Sequence, residues 1–150
     1  MDNSSRLAVR SALIAVSDLE RSIEFYVQVA DLTVGMRDEK LVLLRSGAAG
    51  TPYLYLREQR QGTRYGQGSL GLRGLAFQVP PERLGPVERR LRHFNALLDR
   101  GRVDGPPDVE FARGYDPDRL PLVFVASAGA DDPADLTNQR IANLLYGLDV

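Results

Sequence analysis

One pattern occurs twice along the chain. "RSALIAVSDLERSIEFY", residues 10–26, and "RGLAFQVPPERLGPVERRL", residues 73–91, each run a short apolar stretch into a break and then into an amphipathic helix. A repeat of this kind limits the fold to two copies of one supersecondary unit. In the first copy, Leu7 to Val16 reads as a strand. Ser17 and Glu20 have the spacing of a capping box, which predicts a helix over about residues 18–30 burying Leu19, Ile23, Tyr26, Val27 and Ala30. "TVGMRDEKLVLLRSG" reads as two strands around a turn at Asp38 to Lys40, and "PYLYLRE" as a third. The first unit is therefore strand, helix, three strands, over about residues 7–58.

A linker over about residues 59–69, with glycines at 62, 66 and 68, separates it from the second unit, about residues 70–128. There "LGLRGLAFQV" reads as a strand that Pro80 and Pro81 end. A helix is predicted from about Pro81 or Glu82 to Arg100, with Leu84, Val87, Leu91, Phe94 and Leu98 on one face, though Gly85-Pro86 allows a later start. The strand "DVEFARGY", the turn "DPDRL" and the strand "PLVFVAS" follow. The second strand of this unit is expected to be weak or lost in "RVDGPPD". A tail over about residues 132–147 opens with Asp132-Pro133 and carries an apolar stripe of Leu136, Ile141, Leu144, Leu145 and Leu148. An isolated helix of that length is marginal in water, so it should pack on its own chain or on a second copy.

Composition narrows the function. With 43% hydrophobic residues in 150, the chain can bury a core without staples, and with no cysteine it has neither disulfides nor thiolate chemistry. Net charge is −1, from 19 basic and 20 acidic residues, which is not the basic surplus of a nucleic-acid binder. The dense run "VERRLRHF" alternates charge with Val87, Leu91 and Phe94, as the solvated side of a helix does. The N-terminus lacks the features of a signal peptide and no stretch is long and apolar enough for a membrane span, so a cytoplasmic protein without membrane contacts is expected.

The segments "VSDLERSIEFY" at 16–26, "GLAFQV" at 74–79 and "GYDPDRLPLVFV" at 114–125 resemble the vicinal oxygen chelate superfamily, the glyoxalase / bleomycin resistance protein / dioxygenase family. That resemblance implies an α+β fold in which tandem βαβββ modules form a curved mixed sheet around a cleft, here with a C-terminal helix added. It also implies, for the family's enzymes, a divalent metal held by one residue from each of four strands. The positions that correspond here are Ser11, Tyr55, Gly74 and Val123, with Leu54 or Leu56 in place of Tyr55 on a one-residue shift. Two of the four residues have no side-chain donor and neutral hydroxyls are poor ligands, so no metal or other cofactor is expected.

Strand parity fills the cleft differently. If Ser11 faces inward, so do Leu13 and Ala15, and on the other strands Tyr53, Tyr55 and Arg57, then Gly74, Ala76 and Gln78, then Val123 and Val125. Ile14, Leu54, Leu56, Leu75, Phe77, Leu122 and Phe124 then pack under the helices. A mostly small or apolar surface with a few polar groups describes a ligand pocket. The resemblance favours a metal-free binding protein of the bleomycin-resistance type, a homodimer taking an aromatic or amphipathic small molecule. Two alternatives stay open: a lyase, isomerase or dioxygenase with an atypical metal or with acid–base chemistry from Tyr55 and a carboxylate such as Glu110, and a non-catalytic interaction module. Each residue also has an ordinary structural role. Tyr53 and Tyr55 are good strand formers, Arg57 suits a surface, Gly74 suits close backbone approach, His93 suits a partly solvated helix face, and Asp116 and Asp118 suit the turn.

Overall fold

The structure, a computed structural model, describes residues 7, 9–47, 52–62, 72–104, 108–127 and 143–144. The chain divides into two compact units, residues 1–62 and 63–150. The first runs β1 (Ser11–Val16), α1 (Leu19–Ala30), β2 (Thr33–Arg37), β3 (Leu41–Arg45) and β4 (Tyr53–Glu58). Its four-stranded sheet has the order β1-β4-β3-β2, with β1 parallel to β4 and the other neighbours antiparallel. The parallel pair follows from connectivity, because the helix carries the chain across the sheet and the β2–β3–β4 meander returns it beside β1.

α1 starts one residue later than the capping box predicts. Asp18 is the N-cap and its side chain accepts from Arg21 N at 3.2 Å. The Leu19 N–H is taken by Glu58 Oε1 at 3.2 Å, so the end of β4 closes the start of the helix. Glu20, the expected partner of Ser17, instead pairs with Arg37 on β2. Leu19, Ile23 and Tyr26 are buried as predicted. The buried arc also takes in Ser22, Phe25 and Val29, leaving Val27 and Ala30 half-buried. The opposing sheet face supplies Ile14, Val16, Val42, Leu44, Leu54 and Leu56, all buried. Each such side chain contributes about 1.5–3 kcal/mol by leaving water.

The second unit repeats the first completely: β5 (Leu75–Gln78), a 3-10 turn (Pro81–Arg83), α2 (Leu84–His93), β6 (Leu97–Val103), β7 (Val109–Tyr115) and β8 (Pro121–Ser127), in the sheet order β5-β8-β7-β6. The strand expected to be weak or lost is present as β6, and its first four residues, 97–100, lie in the span predicted for the helix. Asn95 takes a left-handed backbone, φ 56°, just after α2, and the Ala96 N–H bonds the Leu91 carbonyl at 2.8 Å, which stops the helix. Leu98 is therefore an exposed strand residue rather than part of the helix face. At the β7–β8 turn, Asp116 Oδ1 accepts from Asp118 N at 2.9 Å and Leu120 N at 2.8 Å, the side-chain-to-backbone role expected of it.

Most of the linker and of the tail lies outside the described residues. Asn143 and Leu144 are helical. No helix among the described residues is long and apolar enough to cross a membrane.

Candidate functional site

In each sheet one face is covered by its helix. Gly114 fixes which face this is in the second unit, since a Cβ there would lie 2.3 Å from the Ala96 carbonyl and 3.2 Å from Leu91 of α2. Gly114 pairs with Leu122 and Ala112 with Phe124, so those residues face α2, while Val123 and Val125 face away. Phe77 stacks on Phe124, with ring centroids 5.1 Å apart. The expected parity of Leu122, Phe124 and Phe77 thus holds. In the first unit Ile14, Leu54 and Leu56 are buried, while Ser11, Leu13, Ala15, Tyr53 and Arg57 are exposed and Tyr55 is half-buried.

The registers line these open-face residues into rows. Across the first sheet Leu13 pairs with Tyr55, Tyr55 with Leu43, and Leu43 with Met36, a continuous row through β1, β4, β3 and β2. At strand spacings of about 4.8 Å the row is roughly 14 Å long, with Tyr55 half-buried and Leu43 buried at its middle. Its ends stand open, with Leu13 and Met36 each 61% exposed. Ser11 and Tyr53 form the neighbouring pair on one side, and Ala15 and Arg57 on the other. Arg57 forms no ion pair among the described residues.

Leu43 and Met36 were not legible as site residues. "LVLLR" is apolar at four consecutive positions, so parity cannot choose its face, and a register shift between Val34 and Met36 resets the alternation on β2.

The matching row of the second sheet is Ala76, Val123, Arg113 and Asp99. It has a different character. Arg113 is bidentate to Asp99, Nε to Oδ1 at 2.8 Å and Nη2 to Oδ2 at 2.5 Å, and its guanidinium lies 5.4 Å from the centroid of the Phe111 ring. The Asp99 hydrogen bond, with burial opposing it, raises the Arg113 pKa above its usual value. Val123 and Val125 form a buried cluster with Val109 and Phe111, against which Val103 and Leu144 pack. Ala76 and Gln78 remain exposed and Gly74, just before β5, is half-buried.

The four metal positions can now be tested. Two residues after Ser11 comes the partner of Tyr55, and two after Gly74 the partner of Val123, so Tyr55 and Val123 hold corresponding places in the two units. Leu54 and Leu56 lie on the helix-covered side. Within the first unit a phenol and a primary hydroxyl, and within the second a glycine and a buried valine, are not the donors that a divalent cation needs. Among the described residues no group of three or more His, Cys, Asp or Glu side chains could hold an ion. His93 is exposed, with its ring edge-on to Phe94 at 5.4 Å, and Glu110 is exposed on β7.

No family model matches the sequence, and no curated protein does. Solved structures match closely in fold. A glyoxylase/bleomycin resistance protein/dioxygenase domain from Frankia sp. EAN1pec aligns with TM-score 0.64 at 21% identity, over 83% of this chain and 100% of that one. A glyoxalase/dioxygenase from Nostoc punctiforme aligns with TM-score 0.65 at 16% identity, over 86% and 96%. The fosfomycin resistance protein FosX from Mesorhizobium loti aligns with TM-score 0.57 at 15% identity, over 91% and 98%. The chain thus has the α+β fold of these glyoxalase/bleomycin resistance/dioxygenase structures, built as two four-stranded mixed sheets with a helix on each.

Proposed function

We propose that the chain binds an aromatic or amphipathic small molecule, without a metal, against the open face of its first sheet. The observation that carries this reading is the row Leu13, Tyr55, Leu43 and Met36, apolar along its length and exposed at both ends. Covering the exposed parts of Leu13 and Met36 would contribute roughly 2–3 kcal/mol, and stacking on Tyr55 about 0.5–1.5 kcal/mol more. Arg57, exposed on the adjoining row, suits a carboxylate, sulfonate or phosphate on the ligand. Neutral hydroxyls at Ser11 and Tyr55 and no side-chain donor at Gly74 and Val123 favour binding by shape over Lewis-acid catalysis. The homodimer expected from the resemblance belongs to the same reading, and sedimentation velocity would measure it.

Thermal shift against a panel of aromatic anions tests the reading. A ligand at 100 times its Kd adds about 2.7 kcal/mol to stability. For a chain of this size that is a Tm increase of roughly 5–10 °C. If no aromatic anion in the panel raises Tm, the reading fails.

A further inference from the structure

The two sheets present equivalent faces in unequal states, and the difference has a residue attached to it. On the first, Tyr55 is half-buried and Arg57 exposed. On the second, the equivalents of Tyr55 and Arg57 are Val123 and Val125, and both are buried, at 0% and 3% exposed. Their neighbours on the same face are Val109 and Phe111, and Leu144 packs on that cluster from 19 residues beyond Val125 in the chain.

A second contact fixes Leu144 there. Its backbone carbonyl accepts from Arg113 Nη1 at 3.0 Å, while the other two guanidinium nitrogens of Arg113 are held by Asp99. Arg113 thus spends its planar fork on a carboxylate in its own sheet and turns its remaining nitrogen to the carbonyl above. A lysine could not satisfy both partners in this geometry. Gly101 completes the arrangement, because a Cβ there would lie 2.8 Å from the Phe111 ring, a member of the cluster against which Leu144 packs.

We infer that Leu144 is a built-in occupant of the second sheet's open face, positioned by Arg113, so that the chain offers one ligand face and keeps the other filled by itself. The inference rests on the proposed function for its meaning, but its test does not. An apolar side chain packed on the cluster that holds Val123 and Val125 fills the place where an aromatic ligand would rest if the two units bound alike. Arg113 is a positioning residue in this account, acting through the carbonyl it holds.

The chain has no cysteine, so a single introduced thiol reports its own accessibility. Leu144→Cys should react with a thiol reagent at least about tenfold more slowly than Leu98→Cys, whose parent residue is 45% exposed on β6. Adding Arg113→Gln should raise the Leu144→Cys rate severalfold and leave the Leu98→Cys rate alone, and Arg113→Lys should rescue little. Equal rates for Leu144→Cys and Leu98→Cys would overturn the inference.

In the unaltered chain, NMR should give cross-relaxation between the Leu144 methyls and protons of the Val109, Phe111, Val123 and Val125 cluster, and its absence from all four would equally overturn the inference. Titration with 1-anilinonaphthalene-8-sulfonate separates the two proposals. Leu144→Asp should raise its stoichiometry from one to two per chain, and an unchanged stoichiometry counts against the built-in occupant. Failure of this probe and of the aromatic panel to bind the unaltered chain sinks the proposed function, while the thiol rates still decide the fate of Leu144.

Discussion

Three glycine-to-alanine substitutions should differ sharply in cost, and the structure ranks them. At Gly114 the new methyl would sit 2.3 Å from the Ala96 carbonyl oxygen, a backbone atom, and would have to reach at least 3.0 Å. That carbonyl accepts from Tyr115 N at 3.0 Å, and the Ala96 N–H closes α2 on Leu91 O at 2.8 Å, so moving it loosens the sheet and the helix end together. Overpacking costs about 1–3 kcal/mol. A weakened backbone hydrogen bond adds about 0.5–1.5 kcal/mol. Gly114→Ala should therefore lose roughly 2–4 kcal/mol, a Tm fall of about 4–15 °C.

At Gly101 the obstacle is the Phe111 ring, which can tilt, and the cost should be about 1 kcal/mol. At Gly47 nothing lies within 4 Å, and alanine should be neutral or stabilising by up to about 1 kcal/mol through the unfolded chain. Urea denaturation followed by far-ultraviolet circular dichroism reads all three. If Gly114→Ala is as stable as Gly47→Ala, the packing of α2 on β7 is not as described.

Two further substitutions test local chemistry. Ser22 is fully buried in α1 and its Oγ has no hydrogen-bond partner among the described residues, so Ser22→Ala should be neutral or stabilising by up to about 1 kcal/mol in the same denaturation assay. Glu88 is held by Arg100 at 2.6 Å and Arg92 at 3.0 Å, and hydrogen bonding, first from Arg100, draws its pKa below the usual 4.5. A depressed carboxylate pKa contributes stability above the unfolded value that is lost as pH falls through the folded one. Glu88→Gln should accordingly flatten the acid limb of the stability curve below about pH 4.5 and leave the pH 7–9 region parallel to the parent.

Much of the architecture was legible because periodicity and repetition report packing directly. The parity of β1, β4 and β8 followed from alternating residues such as Ile14 against Leu13, and the registers place them as expected. β6 was hidden because Leu91, Phe94 and Leu98 continue a helical spacing across it. The stop signal was Asn95, the residue after glycine that best tolerates a left-handed backbone. The helix start slipped because Ser17 and Asp18 are both good caps, and the choice fell to the one that left Leu19 N within reach of Glu58, 39 residues away. Arg113 with Asp99, and Leu144 on the cluster of Val109, Phe111, Val123 and Val125, are contacts between distant segments that no local pattern encodes.

Under the proposed function an apolar face, and not a cation, holds the ligand. Isothermal titration of 1-anilinonaphthalene-8-sulfonate into the EDTA-treated chain, into the same protein with added Mn²⁺, and into Leu13→Asp tests it in one series. The account predicts affinities within about twofold of each other with and without the ion, and a loss of at least about tenfold, some 1.4 kcal/mol, in Leu13→Asp. Binding that requires the ion, or that survives Leu13→Asp unchanged, would contradict it.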